Sequence, residues 1–403
     1  MPEAVIVSAA RSPIGRANKG SLAGFRPDDL AALIIQAALD KIPDLDKNTV
    51  DDLYLGCGLP GGESGHNMAR VVTVLNGMDS VPGATITRYC ASSVQTTRMA
   101  FHAIKAGEGD IFVSAGVETV SRFGQGTSDD PRTWNPVFAP ARSRTEQHAA
   151  GGADWHDPRQ DHALPDVYVA MGQTAENVAR LRGLDRRELD EFGVRSQNLT
   201  EKAIAAGFWA REITPVTTPE GTVVSTDDGP RAGVTYDGIK DLRPVFRPDG
   251  VVTAGNCCGL NDGAAAVVIM SDTKAAHLGL TPLARIVATG VSGLSPEVMG
   301  LGPVQASRNA LHHAGMSVDD IDLVEINEAF AAQVVPSYQD LGIDIDRLNV
   351  NGGAIAVGHP FGMTGARLQN TMINSLEFHD KSTGLITMCV GGGQGMALIL
   401  ERI

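Results

Sequence analysis

Three short stretches carry the residues with reactive side chains. The apolar run L-I-T-M-C-V-G-G-G-Q-G-M at 385–396 reaches Cys389 and breaks into Gly391, Gly392 and Gly393. A strand that stops at a cysteine and turns on glycines holds a sulfur at the rim of a sheet. Its side-chain-free turn leaves backbone N–H groups open to donate to an anion. T-R-Y-C-A-S-S-V-Q at 87–95 sets Cys90 just ahead of a helical pattern, and N-G-G-A-I-A-V-G-H-P-F-G-M-T-G-A at 351–366 holds His359 in a glycine-rich loop. Two thiols, one imidazole and uncovered amides are the components of acyl transfer through a thioester.

Each residue also has an ordinary reading. A lone cysteine usually behaves as a small buried hydrophobe. Cys90, however, follows Arg88 and precedes a small-residue helix start. A helix N-terminus and a nearby cation favour thiolate, so its pKa is expected below the free value of ~8.5. His359 sits among Gly352, Gly353, Gly358, Gly362 and Gly365, a costly flexibility unless a ligand or another backbone approaches closely. A neutral imidazole beside a thiol generates thiolate near neutral pH. Asn327 and Glu328 stand at a strand-to-helix junction, where asparagine is a good N-cap and can also serve chemistry. Asn256, in G-N-C-C-G-L-N-D-G at 255–263, has the same two readings.

The elements that must position these residues follow a strand–helix rhythm. A buried strand is expected at 4–10, a helix at about 27–40 opened by Pro27-Asp28-Asp29, a strand at 52–56 and a helix at 66–77. A strand at 83–88 leads into Cys90, a helix spans 91–106, and a strand at 111–117 closes the unit. From about 122 to 250 the rhythm lapses into polar, Pro- and Asp-rich stretches around two helical patterns, 171–182 and 186–207. It resumes with V-V-T-A-G-N at 251–256 and A-A-A-V-V-I-M at 264–270. The last 120 residues repeat the opening layout: strand 284–290, helix 304–315, strand 321–327, helix 328–340, the His359 loop, helix 364–376 and strand 385–390. Cys90 precedes the strand at Ile111 by 21 residues, and Gly362 precedes the strand at Leu385 by 23. Two like halves of an α/β protein, interrupted by an insertion, are the expectation.

Bulk properties bound the function. A chain of 403 residues exceeds one ordinary core. Hydrophobic residues at 43%, aromatics at only 5% and 46 glycines suit an α/β protein with many tight turns. A formal charge of −14 argues against nucleic-acid binding or an anionic membrane surface. Five cysteines without a C-x-x-C pair imply neither a disulfide framework nor a metal site, and suit a reducing compartment. The N-terminus enters a strand pattern without a leader-like apolar core, E-R-I does not resemble an S-K-L address, and no eighteen-residue apolar run occurs. A cytoplasmic protein is expected.

The motifs resemble, in order, those of the thiolase family (acetyl-CoA acyltransferases) over nearly the whole chain. They are A-A-R-S-P-I-G, C-A-S-S-V-Q, S-A-G-V-E, M-G-Q-T-A-E-N-V-A, T-A-G-N-x-x-G-L-N-D-G-A-A, M-G-L-G-P-V, N-E-A-F-A, N-G-G-A-I-A-V-G-H-P-F-G-M-T-G-A-R and C-V-G-G-G-Q-G. The resemblance implies duplicated α/β halves in a layered αβαβα body. Residues 1–121 with 251–281 would form the N-terminal half, 122–250 a loop domain over the coenzyme A site, and 282–403 the C-terminal half. It also implies Cys90 as the acylated nucleophile, His359 as the base that activates Cys90 and later CoA, and Cys389 as the acid/base at the departing acetyl-CoA carbanion. Asn327 would hold a water that forms one oxyanion site with His359, and the amides of Cys90 and Gly391 the other. Arg231 would lie near the CoA nucleotide and Met171 near the acyl pocket. Cys258 stands where the family's serine touches pantetheine, a weaker partner. Thr87 and Ser93 replace a frequent Asn and Gly, and Ala170 replaces a histidine of acetoacetyl-specific members.

The expected activity is degradative thiolysis of 3-ketoacyl-CoA, with CoA as co-substrate, no tightly bound cofactor, a homodimeric or homotetrameric assembly and a possible β-oxidation partner subunit. The alternatives are an acetoacetyl-CoA-forming enzyme and a non-catalytic acyl-CoA or lipid carrier. A ketosynthase would need a second histidine where Cys389 stands. A nicotinamide or flavin enzyme would need a strand–G-x-G-x-x-G–helix unit.

Overall fold

The computed structural model describes all residues except 1, 43, 127–129 and 152–153. Its sheet is built outward from a seam between two strands, Ala4–Arg11 and Ala284–Gly293, which meet antiparallel at Val5/Arg285 and Ile6/Ala284. On one side of the seam come Asn261–Ser271 and Ile111–Thr119, each antiparallel to its neighbour, then Asp52–Gly56 and Gly83–Ile86, both parallel. On the other side Gln394–Arg402 and Thr383–Val390 are antiparallel and Leu323–Ile326 is parallel. A parallel bridge from Val324 to Leu348 stands where a fifth strand would complete the likeness. The repeat legible in the sequence is thus a repeat of topology.

Strand periodicity sorts side chains into layers. Along Thr383–Val390, Ile386, Met388 and Val390 join a central core with Val94, Leu368 and Met372. Leu385 and Cys389, on the alternate positions, join an outer core with Val334 and Phe192. The first half has its own outer core, where Leu30, Ile34 and Val72 of the helices Pro27–Leu39 and Met68–Leu75 cover Leu53, Val113 and Val268. The helices Ser92–Ala106 and Phe361–Phe378 fill the central layer. Helix, sheet, helix, sheet, helix is the resulting order. The helices Met171–Arg182 and Arg186–Ala205 add Ala175, Ala179, Leu189 and Phe192 to the outer core of the second half.

The two central helices and the strands they cover approach to backbone contact. A Cβ at Gly116 would stand 2.0 Å from the carbonyl oxygen of Gly362, and one at Gly365 2.4 Å from the amide nitrogen of Val94. Gly116→Ala is therefore expected to lower stability by at least ~1–3 kcal/mol, the usual cost of overpacking. Gly124→Ala, with nothing within 4 Å of the added carbon, serves as the control in thermal denaturation.

The structure departs from the sequence reading in several places. Residues 251–256 form no strand, because the amides of Val251 and Val252 donate to the Glu176 carboxylate (3.0 Å each) and that of Thr253 to Asn256 (2.8 Å). A terminal strand, Gln394–Arg402, follows the glycine turn, and a helix, Ala139–Ala149, lies within the Pro- and Asp-rich stretch. The helix expected at 328–340 spans Ala331–Leu341, capped by Phe330, so Asn327 is not its N-cap. Among the described residues no helix is long and apolar enough to cross a membrane, and none form a cluster of three potential metal ligands.

Candidate active site

Cys90, Asn327 and Cys389 each stand at or just beyond the end of a strand, the usual place for a ligand in an α/β sheet. Gly83–Ile86 runs out into Thr87-Arg88-Tyr89-Cys90, Leu323–Ile326 into Asn327, and Cys389 is the penultimate residue of Thr383–Val390. Cys90 lies in a single 3₁₀ turn, Tyr89–Ala91, directly ahead of the helix that starts at Ser92. Tyr89 takes a left-handed conformation (φ 43°), which swings the next residue off the helix axis. The N–H groups of Gly391 and of Cys90 itself lie beside the Cys90 sulfur and favour its thiolate. The two amides expected to serve as an oxyanion site therefore both flank one sulfur.

The thiol itself is not activated at rest. Burial pushes Cys90 up to about 12, opposed by the Gly391 amide and reinforced by the charge of Glu118. This corrects the expectation of a lowered pKa. The cation that should have favoured thiolate is turned away, since Arg88 Nη1 donates to Gln394 Oε1 at 3.1 Å. Desolvation outweighs a few amide dipoles. Burial likewise raises Cys389, with Cys90 as a second cause, and raises Cys258, to which Cys257, Cys90 and Cys389 all contribute. The sulfurs of 90, 258 and 389 thus lie close enough to raise one another, each protonated at neutral pH, with Cys389 buried and Cys90 and Cys258 half-buried.

His359 is held as a neutral base. Its backbone N–H donates to Asn261 Oδ1 (2.9 Å), and its Nδ1 lies 2.6 Å from Thr364 Oγ1. That hydroxyl gives its only proton to the Pro360 carbonyl (2.7 Å), so it accepts from Nδ1–H. Nε2 then carries the lone pair, and it is buried with no partner among the described residues. Burial drives the imidazole down to about 3, helped by the charge of Arg367. Asn327 is also buried, and neither Oδ1 nor Nδ2 has a partner among the described residues. A buried amide left unpaired costs free energy unless a ligand or water satisfies it. Its backbone is fixed by donation to Thr387 O at 3.0 Å, two residues before Cys389.

The other expected contacts divide. Met171 opens its helix within 3.6 Å of a Cβ built on Gly391, so it flanks the oxyanion turn. Cys258 is tied to the N-E-A-F segment by donation of its N–H to Ala329 O (3.1 Å). Arg231 is anchored by its own N–H to Gln197 Oε1 (2.9 Å), its side chain exposed. Ala170 is exposed as well. Asn256 is structural: its amide bonds Asp190 and Val251.

Sequence reasoning passed over Glu118 and placed Glu328 only at a strand-to-helix junction, yet both carboxylates brace the site. Glu118, the penultimate residue of the strand Ile111–Thr119, is fully buried and accepts from the amides of Gly58 (2.7 Å), Leu59 (3.3 Å) and Gly362 (2.8 Å). It joins the Cys90 side of the site to the His359 loop, and burial raises it to about 7. Glu328 accepts from Ser196 (2.6 Å), Asn349 (2.8 Å) and the Ile355 amide (3.1 Å), fixing the approach to His359. The only sequence signal was their place inside motifs, since a buried acceptor of backbone N–H looks like any other Glu.

Two thiols and a neutral imidazole around paired amides are the equipment of an acyl-transfer enzyme, and the comparisons make the class definite. Residues 4–273 match the thiolase N-terminal domain and residues 280–402 the thiolase C-terminal domain. The β-ketoadipyl-CoA thiolase of Escherichia coli is 43% identical, and the 3-ketoacyl-CoA thiolase of Bacillus subtilis 41%, each over the full length of both chains. Among solved structures, the acetyl-CoA acetyltransferase of Bacillus anthracis superposes with a TM-score of 0.86 at 37% identity, covering 100% of this chain and 99% of that one. The dimeric peroxisomal thiolase of Saccharomyces cerevisiae gives 0.88 at 32%, covering 100% and 98%. The chain belongs to the thiolase family, and it is an acyltransferase.

Proposed function

We propose that this thiolase cleaves 3-ketoacyl-CoA with CoA, giving acetyl-CoA and a shortened acyl-CoA through an acyl-enzyme on Cys90. The observation that carries the reading is the pair of amides, of Gly391 and Cys90, beside the Cys90 sulfur, with the unpaired His359 Nε2 as base. Cys90 attacks C3 while Nε2 takes its proton, and the C3 oxygen becomes an oxyanion on the two amides. The C2–C3 bond then breaks with its electron pair going to C2. That enolate oxygen lies toward Asn327 and the now protonated Nε2, and Cys389 gives its thiol proton to C2. The imidazolium, disfavoured by burial, returns its proton to the Cys389 thiolate. His359 next deprotonates the incoming CoA thiol, which takes the acyl group and leaves Cys90 to be reprotonated.

The segment 122–250 acts here as a loop domain over CoA, with Arg231 at the mouth for a phosphate, Cys258 beside the pantetheine and Met171 beside the acyl group. CoA is co-substrate and no cofactor is resident. The working form is a homodimer or homotetramer in the cytoplasm, serving β-oxidation or a related pathway. The names of the relatives span two kinds of acyl tail, fatty and carboxylate-ended. Thiolysis rates across 3-ketoacyl-CoA substrates from C4 to C16, together with acyl label trapped on Cys90, test the reading. Failure to cleave any of them would overturn it.

Glu118 is a positioning residue on this reading, because it ties the strand end at Gly58 to Gly362 beside His359. Glu118→Gln keeps the shape but turns an NH₂ toward one of three N–H donors. Its kcat is expected to fall by about 10- to 100-fold, as for a modest misplacement of catalytic groups. A second readout separates position from charge. Glu118 ionises near 7 and its charge raises the Cys90 pKa, so above that pH the variant should be alkylated by iodoacetamide faster than wild type. Slower alkylation at every pH would refute the electrostatic link.

A further inference from the structure

We infer that Arg159 reads a carboxylate at the far end of the substrate's acyl tail, so that the substrates are 3-oxoacyl-CoA thioesters of short dicarboxylic acids. This rests on the thiolysis proposed above and deepens it. The starting point is a pocket of about 450 Å³ whose floor includes Gly392. Gly392 directly follows Gly391, whose amide lies beside the Cys90 sulfur. An acyl group on Cys90 long enough to pass the glycine turn would reach this pocket over Gly392.

The pocket's wall is fixed to the turn. The N–H of Leu294 donates to Gly393 O at 2.8 Å, and a Cβ at Gly393 would stand 2.6 Å from the nitrogen of Pro296. Phe138, Leu164, Val167 and Leu294 give the pocket an apolar body, which suits the methylenes of a tail. Its charged lining consists of Asp157 and Arg159. Asp157 is engaged in accepting the N–H of Arg159 at 3.0 Å. The Arg159 guanidinium has no partner among the described residues. An unpaired cation in this pocket, whose one acidic side chain is occupied by a backbone amide, is a selective feature in a chain carrying −14, since arginine binds carboxylate through two parallel N–H donors.

The backbone that carries the exposed Arg159 side chain is held in place. It sits in a single 3₁₀ turn, Pro158–Asp161, flanked by the His156–Asp161 pair at 2.7 Å. The segment around it is clamped by one buried carboxylate. Glu297 accepts from Arg144 (2.9 Å), the Trp155 indole (2.7 Å) and the Asp166 amide (2.8 Å). A charged reader on a braced turn selects between tails, whereas one on a loose loop only attracts anions.

The test compares kcat/KM for 3-oxoadipyl-CoA and the neutral 3-oxohexanoyl-CoA in wild type, Arg159→Met and Arg159→Lys. Wild type is expected to favour the carboxylate-ended substrate. Arg159→Met should lose about 10- to 100-fold on that substrate alone, the scale of a hydrogen bond to a charged group. It should leave the neutral one within twofold, with Arg159→Lys in between. A wild-type preference for the neutral tail, or an equal loss on both tails in Arg159→Met, would overturn the inference and leave thiolysis standing. Cleavage of neither substrate by wild type would overturn both.

Discussion

Cys90→Ala is expected to abolish acyl-enzyme formation and to lower thiolysis by about a millionfold, the scale seen when a covalent nucleophile is removed from an acyl-transfer site. The effect should be that large because nothing nearby substitutes for it. Cys389 and Cys258 lie near it, yet the Gly391 and Cys90 amides flank the Cys90 sulfur. An acyl group on another sulfur would lack that oxyanion site. The measurement is mass spectrometry of protein quenched with a radiolabelled acyl-CoA. Label that persists in the alanine variant would end the assignment. The wild-type thiol supplies a second check. With Cys90 pushed up to about 12, its alkylation rate should keep climbing well above the free-cysteine pKa of about 8.5. A plateau near that value would mean an open, solvated thiol and a different pocket.

How much of this was written in the sequence depends on the kind of interaction. The strands and central helices were legible because their apolar residues repeat with a clear period and end at glycines, as at 111–117 and 385–390. The proximity of Cys90 to Cys389 was legible for a chemical reason: residues of that type beside glycine-rich turns have few other uses. The thiol's protonation state was not. Sequence shows Arg88 next to the cysteine, but only the folded chain shows the guanidinium paired with Gln394 and the sulfur enclosed. Residues 251–256 misled in the same way. Their β-branched opening, Val251-Val252-Thr253, reads as the return of the strand–helix rhythm, while the Glu176 side chain takes the amides a strand would have paired. Glu118 and Glu328 were silent because their work is done on backbone N–H groups brought from distant segments.

Cys389→Ser should divide the reaction into its two halves. The role proposed for Cys389 is to move a proton at C2, and that step occurs only when the C2–C3 bond breaks or forms. Loading Cys90 from a simple acyl-CoA, and its return to CoA, touches no carbon–carbon bond. The substitution removes little volume but supplies a hydroxyl, a far weaker acid than a thiol. Cleavage of 3-ketoacyl-CoA is therefore expected to slow by about 10²- to 10⁴-fold, the range of a lost general acid. Exchange of an acyl group between CoA molecules should remain within about tenfold, since the Gly391 and Cys90 amides and the Nε2 base are untouched. The fold should persist, because Cys389 is tied by strand register to Gly395 through its backbone. Rapid-quench measurement of both half-reactions on one preparation decides it. Equal slowing of loading and cleavage would show that Cys389 supports the pocket as a whole, and the proton at C2 would then have to come from His359.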